Sequence, residues 1–99
     1  MKKDTLVKRL KGFVGTRSLS SPATGNAVSN QVVVDFENAS VFESYGTLIA
    51  VKKDDKIYLT EDYNYSRTTS KYLNQFCGMT AKEVEKELKN KNPRFVMLK

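Results

Sequence analysis

Between Gln31 and Thr60 the chain carries three apolar runs separated by only a few polar residues, and this spacing constrains the fold more than any other feature. In Gln31-Val32-Val33-Val34-Asp35-Phe36-Glu37, residues Val32, Val34 and Phe36 alternate with Val33, Asp35 and Glu37, the period of two of a half-buried strand. Asn38-Ala39 makes a tight turn. The stretch from Val41 to Val51 is too long for a typical strand and is expected to bend or bulge at Gly46. Lys53-Asp54-Asp55-Lys56 is a polar turn leading into Ile57-Tyr58-Leu59-Thr60. Connections this short predict three antiparallel strands in a meander.

The pattern changes period after Tyr65. Thr69, Tyr72, Leu73 and Phe76 recur at i, i+3, i+4 and i+7, one face of a helix that Ser66 would cap and Cys77-Gly78 would end. Thr80-Ala81-Lys82-Glu83 reads as a capping box opening a second helix to about Lys89, with a thin apolar stripe of Ala81, Val84 and Leu88. Pro93 blocks further helix, and Phe95-Val96-Met97-Leu98 reads as a last short strand. Strands and helices segregated in this way predict an α+β domain: an antiparallel three- to four-stranded sheet with two short helices, spanning residues 31–99.

Two segments precede it. Leu6, Leu10 and Phe13 or Val14 recur at helical spacing among Lys2, Lys8, Arg9 and Lys11, so residues 1–14 read as a basic amphipathic helix or arm. Only about three turns are available, so it either docks its Leu face on the domain or orders on a partner. Residues 15–30 are rich in Ser, Gly and Thr and read as a flexible linker. At 99 residues the chain fits a single core.

Composition narrows the chemistry. The chain has no His, no Trp and one Cys, Cys77, which excludes the usual zinc ligand sets, a Ser-His-Asp triad, a Cys-His dyad and a disulfide framework. No Gly-rich loop runs into Lys-Ser/Thr, so P-loop hydrolysis is excluded. Asp54-Asp55 and Glu61-Asp62 look like turns rather than acid-base pairs or calcium ligands. The expectation is a non-enzymatic protein with no cofactor, no metal and no small-molecule substrate. The apolar residues near the N-terminus are too interrupted for a signal, no run approaches a membrane span, and a lone cysteine suits a reducing cytoplasm.

Charge then suggests a partner. The net charge is +6, carried by 17 Lys and Arg against 11 Asp and Glu. Residues 1–31 hold six bases against Asp4, the middle to residue 66 is acidic, and residues 67–99 hold eight bases against three acids. Basic surfaces at both ends suit a polyanion. The densest polar cluster is Tyr63-Asn64-Tyr65-Ser66-Arg67-Thr68-Thr69-Ser70-Lys71-Tyr72. There Ser66, Arg67, Thr69, Ser70 and Lys71 would surround a helix N-terminus suited to phosphate, and Tyr63 and Tyr65 could stack a base. Lys8, Arg9, Lys11 and Arg17 would form a second, mobile contact.

The segments Ser44-Tyr45-Gly46-Thr47-Leu48-Ile49-Ala50, Tyr58-Leu59 and Tyr65 to Phe76, with Leu10-Lys11-Gly12-Phe13 and Asn26-Ala27-Val28-Ser29-Asn30-Gln31, resemble a small domain family of unknown function widespread in bacteriophage and prophage genomes. The family's markers are a Ser-Tyr-x-Thr strand and a Ser-x-Thr-Thr-Ser-(Lys/Arg)-(Tyr/His) helix start. The resemblance implies a phage protein acting in a bacterial cytoplasm and implies no reaction. The reading that results is a small binding protein for nucleic acid or a nucleoprotein. Its alternative is an inhibitor of a host defence nuclease, such as a CRISPR effector, acting by protein contact. An exposed edge strand would permit a homo-oligomer.

Overall fold

The computed structural model describes residues 2–64 and 66–99. Helix α1 (Lys3–Lys8) is followed by strands β1 (Phe13–Ser20), β2 (Ala27–Phe36), β3 (Ala39–Ser44), β4 (Thr47–Lys53) and β5 (Lys56–Leu59). A 3-10 turn (Glu61–Asn64), α2 (Arg67–Cys77), α3 (Ala81–Lys89) and β6 (Phe95–Met97) complete the chain. The strands form one mixed sheet in sequential order. Neighbours pair antiparallel except β5 and β6, which run parallel. A parallel pair needs a crossover, and the 3-10 turn, α2 and α3 provide it.

Hairpin geometry follows from residue type. The β3–β4 loop is Tyr45-Gly46 and the β4–β5 loop is Asp54-Asp55, and all four residues have positive φ. Two-residue loops with both positions left-handed match the twist of the flanking strands. The long stretch Val41 to Val51 is therefore two strands folded at Gly46, not one strand bent there. A bulge does occur, at Ile49, where Phe42 opposes Ala50 but Glu43 opposes Leu48.

Each face of the sheet is covered. Val33, Phe42, Ala50, Ile57, Leu59 and Phe95 pack against Tyr72, Leu73 and Phe76 of α2 and Val84 of α3. The Phe42 and Phe76 rings stack at 5.6 Å between centroids. The intervening residues Ala39, Val41, Val51 and Tyr58 face the other way and pack with Leu98 against Leu6 of α1. The helix termini match their sequence signals. The Ser66 hydroxyl accepts the Thr69 N–H at 3.1 Å, and Gly78, at φ 76°, donates its N–H to Asn74. Thr80 and Glu83 form the reciprocal capping box.

The N-terminal third departs from expectation. Residues 15–30, with the composition of a linker, contribute most of β1 and the first part of β2, so the sheet has six strands rather than three or four. β1 is an edge strand whose only buried side chain is Leu19, so apolar periodicity is nearly absent from it. Its place comes from the backbone ladder to β2 and from Gln75, whose amide donates to Ser20 O at 2.6 Å and accepts from Ser20 N at 3.4 Å. Residues 2–14 do not stand off as an arm. Leu6 is fully buried, and the Asn38 amide grips the chain after α1, donating to Arg9 O and accepting from Lys11 N. At Gly12, φ is +75°, a conformation that favours glycine, and a Cβ there would displace the exposed Glu37 side chain.

If α1 is part of the core, Leu6→Ala should lower stability by about 2–5 kcal/mol in urea unfolding, the range for a fully buried leucine. A change below about 0.5 kcal/mol, as for a surface position, would contradict the docking.

Candidate functional site

The start of α2 is tied to the sheet by three hydroxyls. Ser66 Oγ donates to Thr69 Oγ1 at 3.2 Å, and Thr69 Oγ1 lies 3.3 Å from Ser44 Oγ on β3. Ser44 and Thr69 are both buried. Burying hydroxyls is tolerable because each finds a partner. Thr69 therefore acts inside the protein, and Ser66 is occupied as the cap, so neither is a free surface ligand as the sequence suggested.

On the outer side of α2 the turn exposes Arg67 and Lys71, with Ser70 half-buried between them. Together with Asn64, Ser66 and Asn74, and with Thr80 and Ala81 at the start of α3, they line an open groove of about 420 Å³. Its lining holds two cations, two amides and three hydroxyls, with no carboxylate. Neither cation forms an ion pair among the described residues, whose ion pairs are Arg17–Asp35 and Lys53–Asp54. Lys71 Nζ lies 5.4 Å from the Tyr72 ring. The α3 end of the groove is capped, the Glu83 carboxylate accepting from Thr80 N at 3.3 Å and from Thr80 Oγ1 at 3.0 Å.

A second cavity opens on the inner side of the same cap. Ser44, Tyr45, Thr47, Ile49, Asp62 and Thr69 enclose about 400 Å³. No cation lines it. Gln31 lies in the same cross-strand row as Ser44 and Thr47, fully buried, and neither atom of its amide finds a partner among the described residues.

Other expected site residues are scattered. Tyr63 is buried in the core, where burial followed by the Glu85 charge pushes its phenol up, so it offers no stacking face. Tyr65 lies outside the described residues. Lys8, which ends α1, and Arg9 and Lys11, which follow it, are exposed but lie on the opposite face of the sheet from α2, so the structure does not join them to Arg67 and Lys71. Arg17 is held on β1 by Asp35 at 3.0 Å. Cys77 is half-buried, and burial pushes its thiol up despite a hydrogen bond to Met79 O, so the nucleophilic thiolate is disfavoured.

One basic group escapes a linear reading. Lys52 stands beside Asp35 and Ser40 in a cross-strand row and places Nζ 4.6 Å from the Phe76 ring. Burial, with the charges of Arg17 and Arg94, lowers its pKa, while Cys77 and Asp35 oppose the shift. Arg17, Lys52 and Arg94 come from β1, β4 and the approach to β6, so only strand pairing assembles them. Asp35 is the acid among them. Burial pushes its carboxyl up, but the Ser40 hydrogen bond and the Arg17 guanidinium outweigh this and hold it below its usual value. This contribution to stability is present above the unfolded-state pKa of an aspartate and disappears as pH falls through the lower folded value. Arg17→Ala should therefore raise the Asp35 pKa in an NMR titration and flatten the acid limb of stability. An unchanged Asp35 pKa would show that the pair contributes nothing.

No curated protein and no solved structure gives a significant match to this chain. No helix among the described residues is long and apolar enough to cross a membrane. A family model does match, from the end of α1 through both helices of the groove to the approach to β6, and the residues 9–92 that it covers assign this chain to the family of unknown function DUF8033.

Proposed function

We propose that this chain is a small non-enzymatic module that binds single-stranded nucleic acid along the groove between α2 and the start of α3. The observation that carries the reading is the lining of that groove, where Arg67 and Lys71 stand one helical turn apart without an acidic partner, among amides and hydroxyls. Arg67 and Lys71 neutralise phosphates, and Asn64, Ser70 and Asn74 fix the backbone by hydrogen bonds. Single-stranded ligands suit a shallow groove beside a cavity, since unpaired bases can splay out of the strand. The groove is short, so affinity rests on few phosphates and stays modest. The resemblance carried by residues 44–50 and 65–76 favours a phage or prophage protein acting in a bacterial cytoplasm.

Exposed Phe13 and Val14, 65% and 67% accessible, support a second reading. They lie at the start of β1, with Phe13 edge-on to Phe36 at 6.1 Å, and give a protein partner such as a host nuclease an apolar foothold.

The test is a titration of labelled single-stranded and duplex oligonucleotides at about 50 and 200 mM salt. The module reading expects single strands to bind more tightly than duplex and to weaken as salt rises. Arg67→Ala/Lys71→Ala should reduce the slope of log K against log salt by about 1.4, the value for two single-strand phosphate contacts. An absence of binding at the lower salt would overturn the reading and turn attention to protein partners of the Phe13 face.

A further inference from the structure

The cavity on the inner side of the α2 cap differs in chemistry from the groove on its outer side, and the two are joined by the Ser66–Thr69–Ser44 hydroxyl chain. The groove has cations and no acid, whereas the cavity has the Asp62 carboxylate, three hydroxyls, the Ile49 side chain and an aromatic ring, with no cation. A phosphate would meet Asp62 unfavourably. A planar, neutral group with N–H donors would not.

Tyr45 points to the same guest. It occupies the first position of a two-residue hairpin loop at φ 52°, a conformation suited to Asn, Asp or Gly and unfavourable for a bulky side chain. The residue is nonetheless 64% exposed and lines the cavity, contributing little to the core. A tyrosine kept where it strains the turn and buries little suggests use of its ring outside the fold. Gln31 lies in the same cross-strand row as Ser44 and Thr47, but it is fully buried and does not line the cavity.

We propose that the Tyr45 cavity receives one unpaired nucleobase of a strand whose phosphates lie in the Arg67–Lys71 groove, the base stacking on Tyr45 and presenting its amino edge to Asp62 beside the exposed Thr47 hydroxyl. The proposal rests on the module reading above and deepens it by naming a base subsite. A cavity of about 400 Å³ lies within the usual size of small-ligand pockets. Aromatic stacking with polar contacts at the base edge is the general way single strands are read. An acceptor carboxylate favours bases with an exocyclic amino group, so adenine and cytosine should be preferred to thymine.

The experiment uses the full chain and single-stranded homopolymers of about twelve nucleotides of A, C and T, with the free nucleoside monophosphates as a parallel arm. Variants are Tyr45→Asn, Asp62→Asn and Arg67→Ala/Lys71→Ala, each with its melting temperature. Tyr45→Asn relieves the turn, so it should melt at the same or a higher temperature while losing about tenfold in affinity for the strand, with its salt slope unchanged. Asp62→Asn should narrow the preference for A and C over T. Unchanged affinity in Tyr45→Asn, with a reduced salt slope in Arg67→Ala/Lys71→Ala, would overturn the base subsite and leave the groove reading standing. No strand binding by the unaltered protein would overturn both. Monophosphates bound as tightly as the strand would overturn the assignment to a strand and identify a free nucleotide as the guest.

Discussion

The structure depends on β4 being buried on both sides. Ile49, Ala50 and Val51 are consecutive and essentially inaccessible, with Ile49 and Ala50 in the α2 core and Val51 in the α1 core. A sheet with two buried faces needs cover on both, and a chain of 99 residues can supply only short helices. The bulge at Ile49 places two successive side chains on the α2 side. Small Ala50 opposes Phe42, whose ring stacks on Phe76 and so sets where α2 lies. The position of α2 then fixes the groove on its outer side and the cavity at its start.

Two-sided burial also explains the distribution of charge. With the apolar residues of both α2 and α1 turned toward the sheet, their cations face solvent on opposite sides of the molecule. The α1 and α2 cations that look like one polyanion surface in the linear sequence lie on separate surfaces in space, while Arg17 of the first basic block and Arg94 of the last both bear on Lys52. A ligand contacting Arg67 and Lys71 lies across the sheet from Lys8, Arg9 and Lys11, so the α2 side and the α1 side can serve different partners.

The helices and central strands were legible because their signals are local. Ser66, Gly78 and the Thr80–Glu83 capping box mark helix ends, and Tyr72, Leu73 and Phe76 keep the helical period. β1 was not legible, since its stability comes from pairing with β2 and from the Gln75 amide, 55 residues away from Ser20 in sequence. The hairpin at Tyr45-Gly46 was obscured because tyrosine rarely occupies a left-handed position. Of the residues that the sequence points to, Arg67, Ser70 and Lys71 lie together at the groove, whereas Thr69 and Tyr63 are buried, because burial depends on what packs above them. The Arg17–Lys52–Arg94 group had no linear signal, as its members come from three separate parts of the sheet.

The central claim, that the two sides of the α2 cap form one surface for a single strand, is tested most directly by following the backbone amide resonances while an unlabelled single-stranded oligonucleotide is added. The account predicts shifts concentrated at residues 44–47, 62–64, 66–71, 74 and 80–82, with α1 and the start of β1 unchanged. Shifts confined to residues 3–14, or the absence of any change at saturating strand, would contradict it.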